Sequence, residues 1–592
     1  MTGVDARRGR GAHARTPGRT AAPADAVPAP GVTRAGPGTR LLGPAISAVL
    51  GLITGLYRLG VPPLWRDEAA TKAIASRSVS QILATMPHDD VVHGAYYLVV
   101  HVFIGLFGSS NVALRLPSAI GAAVACAFTA LIAQRLAAGQ GSAAGQGLAA
   151  GRWYPALTGV TAGAVLALLP AMIRYAQEAR SYAIVTMLAA IATYLLVRAV
   201  DDGRPRWWAG YAAAIFLTGL FNVFGLLIVV AHALTLLGTG WRARGQRGAD
   251  GSSAYDSRGY GSDFPSPAEV KPPGRRLLGV PVGWLIAGLV AALLLVPLVA
   301  AAYAQRNALS WMSASPSIGR DAVALAHFWA GSAGLVWPVF GLAALGVVAS
   351  LIARPRSLSP ATVALPWLVV PPAILLAVST THPVYDQRYV EFCLPGLAIC
   401  TAAGITWIWR LAAMALGGLA RGRSAAGLGA LGWLACLPAI AAAVALAVAL
   451  QPADAVVRQP SYRPDDLEHE AQIIAANYKA GDIVFFIPIN DRIVSLPFPG
   501  PWQKLRDIAL AQSPVSTDTL YGTDASPAEL LKRFTHVSRV WVVSSSEVPE
   551  AKYLASTQAT PLDKEEFSIV GAMRQVHRWR DGDTELTLYA AG

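Results

Sequence analysis

The chain has 592 residues, 54% of them hydrophobic and only 14% charged, against about 25% charged for ordinary globular domains. That balance, with apolar runs of about 20 residues recurring along the chain, excludes a string of soluble domains and reads as a polytopic α-helical membrane protein. The formal net charge of +13 does not indicate a nucleic-acid partner, because the arginines gather in short segments between apolar runs, which is a topology signal.

Residues 1–40 are rich in Arg, Pro, Ala and Gly, lack an apolar core, and read as a disordered cytoplasmic arm. No cleavage site follows the first apolar run, so it is expected to remain as an anchor. Eleven spans are expected, at about 41–60, 115–136, 153–173, 181–200, 207–222, 223–240, 277–301, 332–353, 361–379, 390–410 and 426–450. The apolar run Tyr96–Gly108 is too short to cross and suits an interfacial or re-entrant helix within a first outer loop, 61–114.

With the N-terminus inside, every strongly basic short loop falls on the cytoplasmic side; were Tyr96–Gly108 a span, the later arginines would face out. The Gly/Ser/Pro-rich loop 241–276 is expected to be cytoplasmic and disordered. All four cysteines (Cys126, Cys393, Cys400, Cys436) lie in apolar segments, which excludes a disulfide or zinc site in the polar C-terminal region.

Residues 451–592 read as a small extracytoplasmic α/β domain. "DLEHEAQIIAANYKAG" predicts an amphipathic helix closed by Gly481, "DIVFFIP" and "RVWVVSS" predict buried strands, and Ser526 three residues before Glu529 predicts a capped helix start.

Unusual polar residues collect at the outer ends of the spans. The first outer loop contributes Arg66, Asp67, Glu68, Lys72, His88, Asp89, Asp90 and His93; "IRYAQEARSYA" contributes Arg174, Tyr175, Glu178, Arg180 and Tyr182. A turn at Asn222 and the segment "THPVYDQRYVEF", with His382, Tyr385, Asp386, Arg388, Tyr389 and Glu391, complete the set. Ionisable groups near membrane depth are costly and mark a site or a paired network. Plain structural roles compete: Arg174 and Glu178 are spaced to pair on a helix. Tyr175, Tyr182 and Tyr389 fit interfacial aromatics, and Asp89 and Asp90 fit solvated loop charges. Asp67 or Glu68 could cap the helix that follows. His101 and His232 read as packed histidines.

In order, "RDEAATKAIAS", "HGAYYLVVHVFIGLFGSSNVALRLPSAIGA", "RYAQEARSYA" and "HPVYDQRYVEFCLPGLA" resemble the successive motifs of the GT-C membrane glycosyltransferases. They are most similar to the bacterial branch related to protein O-mannosyltransferases and aminoarabinose transferases. The resemblance covers roughly 41–410, and an outer C-terminal domain is typical of the branch. It implies a polyprenyl-phosphate sugar donor, transfer outside the cytoplasmic membrane with inversion, and Asp67 as the acidic residue of the first outer loop. Many relatives read His-Pro-Pro-Leu where this chain has "HGAYY" at His93–Tyr97, which leaves the role of His93 open.

Such a transfer needs a base, cations for the leaving phosphate and an apolar groove for the lipid. Asp67 is expected to be the base, with a pKa raised by the low-dielectric membrane edge, and Glu68 to assist it. Arg388, Arg180 and Lys72 are expected to hold the phosphate, with His93, Glu178, Tyr385 and Asn222 as further substrate contacts.

No motif requires a divalent metal or other cofactor, and no nucleotide-binding fingerprint is present. The resemblance implies mannose or a related sugar, with arabinose-type sugars also open, and leaves the acceptor as protein, lipid or polysaccharide. A transporter or flippase of lipid-linked glycans would place its polar groups near the bilayer midplane with repeated halves. A non-catalytic scaffold would tolerate change at Asp67.

Overall fold

The computed structural model of the protein describes residues 37–139, 154–239, 274–306, 317–353, 358–419, 436–546 and 549–592. The expectations for nearly all of the N-terminal arm and of loop 241–276 fall outside them. In chain order the helices are α1 (Pro37–Leu56), α2 (Arg66–Ala75), α3 (Val79–Thr85), α4 (Gly94–Phe107), α5 (Asn111–Ala138), α6 (Tyr154–Leu168), α7 (Pro170–Ala176) and α8 (Tyr182–Asp202). They continue as α9 (Pro205–Phe221), α10 (Val223–Thr239), α11 (Gly274–Ala304), α12 (Ile318–Ala330), α13 (Ala333–Ile352), α14 (Pro360–Ser379), α15 (Leu394–Leu419), α16 (Leu437–Val457) and α17 (Leu467–Asn477).

A helix falls on each of the eleven expected spans. Among the described residues seven helices are long and apolar enough to cross a membrane, and the pair α6–α7 makes an eighth if its two arms form one span. The other three are shorter: the apolar parts of α1 and α10 cover Leu41–Leu56 and Val223–Thr239, and α9 has 17 residues. The chain is a multi-pass membrane protein. The run Tyr96–Gly108 forms α4, a 14-residue helix that is too short to cross.

Small residues let the spans approach closely, as helices in lipid do. A Cβ on Gly346 of α13 would lie 2.0 Å from the Cys400 carbonyl oxygen, and one on Gly404 of α15 would lie 2.0 Å from the Leu342 carbonyl oxygen. Both clashes are with backbone, so no rotamer change relieves them. Gly404→Val should therefore prise α13 from α15 and lower stability by about 1–3 kcal/mol. Thermal melting in detergent, beside a lipid-facing Val348→Ala control (Val348 is half exposed), checks this.

One break in the helices positions the site. α6 and α7 meet at a 66° bend. Pro170 causes it: the residue before a proline avoids helical angles, and proline itself has no N–H to continue the helix. Leu169 is extended, and Pro170 starts the new helix. The bend delivers the segment Gln177–Ser181 against α2, where Ala179 bonds to Glu68 and Thr71.

The C-terminal region holds a five-stranded sheet, ordered β2-β1-β5-β7-β6. Its strands are β1 (Ile483–Ile487), β2 (Arg506–Asp507), β5 (Arg539–Ser545), β6 (Arg574–Asp581) and β7 (Thr584–Ala590); β3 (Leu510–Gln512) and β4 (Thr523–Asp524) form a separate ribbon. β1 is parallel to β2 and β5, while β7 is antiparallel to β5 and β6.

The two buried strands expected from sequence are β1 and β5. The amphipathic helix α17 stops at Asn477, earlier than expected, and Gly481, at φ +91°, instead turns the chain into β1. Ser526 accepts a hydrogen bond from the Glu529 amide, as the capping pattern predicts.

One face of the sheet does not form a core of its own. Val484, Phe486, Trp541 and Val543 pack with Leu467 and Ala471 of α17 and with Ala69, Ala70, Ile74, Ile82 and Tyr97 of the segment between α1 and α5. The C-terminal region and the loop carrying Asp67 thus share one hydrophobic core.

Candidate active site

α2 begins at Arg66, so Asp67 and Glu68 both fall in its first turn, where the helix dipole favours anions. They face different surroundings. The Asp67 side chain is 23% exposed, whereas Glu68 is fully buried.

Asp67 Oδ2 accepts a 2.5 Å hydrogen bond from Nη1 of Arg388 and lies 3.5 Å from Nε of Arg180. Arg180 in turn donates from Nη1 to Asp90 Oδ2 and to the Tyr97 hydroxyl, both at 3.0 Å, and the Tyr97 hydroxyl donates to Asp90. Arg388 Nε lies 3.3 Å from Asp386 Oδ2, and its guanidinium lies over the Trp65 and Tyr389 rings at 5.9 and 5.7 Å. Tyr182 contacts Tyr389 and the edge of His93. The result is a partly open cleft with two guanidiniums held among three carboxylates and walled by tyrosines.

The electrostatics correct one expectation. Burial does push the Asp67 carboxyl up, but the Arg180 and Arg388 guanidiniums outweigh it and hold the group below its ordinary value. Asp90 is likewise pushed up by burial but held down at about 2, with His93, Arg180 and the Tyr97 hydroxyl opposing burial. His93 is itself pushed down to about 4, chiefly by burial. It is neutral at pH 7, so Arg180 and Tyr97 stabilise the Asp90 charge there.

Asp90 is no solvated loop charge. It sits at φ +54°, a left-handed turn that aims its carboxylate into the cleft. Asp89 beside it accepts a 2.6 Å bond from the Leu520 amide of the C-terminal region. Gln305, just past α11, clamps the same turn through Met86 O and the Val91 amide.

The remaining expected residues separate. Both Glu68 oxygens are taken by Arg115, at 2.7 and 2.6 Å, and Oε1 also accepts from the Ala179 amide. Arg115 further donates to the carbonyls of Leu59, Pro62 and Pro63. This fully buried hub ties α2, α5 and the bend segment together and turns Glu68 away from the cleft.

Glu178 pairs with Arg174, as the helical spacing anticipates, and lies 3.6 Å from Arg463 of the C-terminal region. Burial raises its pKa to about 7. Lys72 lies over the Phe498 ring of the C-terminal region at 4.8 Å. Asn222 caps the start of α10 through the Phe224 amide. Tyr385 is half-buried, its amide bonded to Ser379 Oγ. His93, buried, lies 3.4 Å from Ser181 Oγ.

The structure therefore brings Asp67, Arg180 and Arg388 together with His93 beside them. Lys72, Glu178 and Asn222 take contacts elsewhere. Tyr175 and Tyr182 are buried rather than interfacial. His232 is packed as expected, bonded to Tyr211 and Thr193, and His101 bonds to Ala75 O. Among the described residues no three His, Cys, Asp or Glu side chains converge as metal ligands.

No protein-family model and no curated protein sequence matches the chain. Its structure is similar to that of ArnT from Cupriavidus metallidurans in the apo state, at a TM-score of 0.51 and 14% identity, covering 92% of this chain and 97% of ArnT. ArnT bound to undecaprenyl phosphate matches at 0.51 and 15%, over the same shares. Over nearly its whole length the chain thus has the GT-C membrane fold that its motifs resemble.

Proposed function

We propose that this protein is a membrane glycosyltransferase that moves a sugar from a polyprenyl-phosphate donor to an acceptor hydroxyl at the outer face of the cytoplasmic membrane. In this reading the N-terminus is cytoplasmic and the C-terminal domain extracytoplasmic. The observation that carries it is the partly exposed Asp67 carboxylate, hydrogen-bonded to Arg388 and ion-paired with Arg180, among the polar residues that cluster at one end of the spans. The fold adds support, since ArnT has been solved with undecaprenyl phosphate bound.

The chemistry follows from what each group can do. Guanidiniums present a fork of donors that suits phosphate oxygens. At rest that fork is engaged by carboxylates, and Asp67 is a poor base. An incoming lipid phosphate competes with Asp67 for Arg388. Once displaced, Asp67 loses one of the two cations that depress its pKa and becomes a better base for the acceptor proton. The acceptor oxygen then bonds to the anomeric carbon, the bond from that carbon to the phosphate oxygen breaks, and the phosphate leaves paired with Arg388. A single displacement inverts the anomeric centre. Glu68 has no part in the proton transfer and serves as an anchor for α2. The sugar, mannose or arabinose-type, and the acceptor are set by groups outside this cluster.

The test is transfer in native membranes containing the protein, from polyprenyl-phosphate mannose and polyprenyl-phosphate arabinose to the membrane's own acceptors. Arg388→Ala should raise the donor KM by about 10- to 100-fold, the value of hydrogen bonds to a charged group. Absence of transfer from either donor by the wild type would sink the reading.

A further inference from the structure

Arg66 stands immediately before Asp67, yet its side chain goes the other way, into the outer domain. Its Nη1 donates to Asp491 Oδ1, its Nη2 donates to Thr584 Oγ1 at 2.9 Å, and its Nε lies 3.4 Å from Asp465 Oδ2. Thr584 Oγ1 donates to Asp465 Oδ1 at 3.2 Å, closing the ring of contacts. Asp465 and Asp491 are 1–2% exposed, and Glu470, fully buried, lies close enough to Arg66 to feel its charge. A buried acidic pocket of this kind needs a cation inside it.

The place of the pocket in the sheet is telling. Asp491 lies in the turn that follows β1, and Thr584 pairs in register with Ser545 at the end of β5. β1 and β5 are neighbouring parallel strands. The carboxyl ends of parallel strands are where open α/β sheets bind ligands. Here that position is filled by a side chain from another part of the same protein. The backbone is fastened beside it, with the Leu467 amide donating to the Leu64 carbonyl at 3.2 Å.

We infer that the outer domain is a guanidinium receptor whose resident ligand is Arg66, and that this grip makes Arg66 and Asp491 positioning residues for the Asp67 carboxylate. The domain carries no reacting group in this scheme. It fixes the first turn of α2 from one side, while Arg115 and Glu68 fix it from the other. Asp67, one residue along, then has a single orientation toward Arg388 and Arg180. The inference rests on the transferase reading, because positioning matters only if Asp67 performs chemistry.

The experiment pairs kinetics with hydrogen exchange on the full-length protein in detergent or liposomes. Arg66→Ala should lower kcat by about 10²-fold with the donor KM unchanged, the cost of a small misplacement of a reacting group. Methylguanidinium should restore kcat saturably, because the emptied pocket keeps its acids. The same variant should exchange faster at the amides of residues 67–71, and methylguanidinium should slow them again. Asp491→Asn, a second route should Arg66→Ala fold poorly, should show the kinetic loss without rescue, since the receptor side is damaged.

Wild-type-like exchange at 67–71 in both variants overturns the inference. So does a loss of kcat in Arg66→Ala that methylguanidinium leaves untouched while Arg66→Lys is equally inactive. An inactive wild type whose Arg66→Ala variant still shows rescued exchange upholds the receptor and rejects the transferase reading instead.

Discussion

Asp67→Asn should lower kcat by about 10³-fold, within the usual range for loss of a general base, in a protein that inserts and melts like the wild type. The fold should tolerate it because the two arginines keep other partners: Asp386 faces Arg388 and Asp90 faces Arg180. Binding should change in the opposite direction to catalysis. Asparagine is neutral and does not compete for Arg388, so polyprenyl phosphate should bind the variant more tightly than the wild type.

The pH profiles carry the same logic. In the free protein Asp67 is depressed by Arg180 and Arg388, so it is ionised at and above its ordinary value and the acid limb of kcat/KM lies low. With donor bound, Arg388 is engaged by phosphate, the Asp67 pKa rises, and the acid limb of kcat should lie at higher pH. Coincident limbs, together with unaltered phosphate binding by Asp67→Asn, would mean that Asp67 is not released from Arg388 during turnover.

The motif "RDE" shows how far a sequence can be read here and where it stops. Its three charged residues are adjacent, and sequence alone treats the two acids as one functional unit. On a helix consecutive residues point about 100° apart. Arg66 therefore enters the outer domain, Asp67 the cleft and Glu68 the buried hub. The partner of Glu68, Arg115, lies 47 residues onward inside an apolar run that reads simply as the start of a span.

Asp90 is hidden for another reason: its role depends on a left-handed backbone turn that nothing in "PHDDVVH" announces. The spans were legible because lipid demands about 20 apolar residues wherever it is crossed. The break at Pro170 was not, since prolines occur inside other spans of this chain, as at Pro117, Pro338 and Pro371. The hairpin β6–β7 carried a signal that goes unused in the sequence reading. Gly582-Asp583 is a two-residue turn pair with Gly in the first central position, and Gly582, at φ +59°, has its Cα face against the Pro464 carbonyl. The shared core between outer domain and first loop has no local signature, because it joins residues about 400 apart in the chain whose apolar patterns are complete only together.

The second large effect separates anchor from catalyst at Glu68. Glu68→Ala should destabilise the protein by about 3–5 kcal/mol, because it strands the Arg115 charge in a fully buried site. Arg115→Met should cost a similar amount by stranding Glu68. In many buried pairs, replacing both partners by apolar residues recovers the loss. Here it should recover only part. Arg115 also satisfies three backbone carbonyls and Glu68 one backbone amide, and each such group left unpaired costs about 1–3 kcal/mol. The double variant Glu68→Leu/Arg115→Met should therefore lose less than the sum of the single losses yet stay below wild type in thermal melts.

Glu68→Gln is the decisive activity probe. It keeps an oxygen for Arg115 Nε and the Ala179 amide but sets a donor against Arg115 Nη2. Stability should fall, while kcat per folded molecule should stay within about tenfold of wild type, a positioning effect rather than the loss of a base. A Glu68→Gln protein that melts normally but turns over as slowly as Asp67→Asn would instead place both acids of the motif in the chemistry. In that case the bidentate grip of Arg115 would have to open during turnover, exposing a carboxylate that is wholly enclosed in the resting protein.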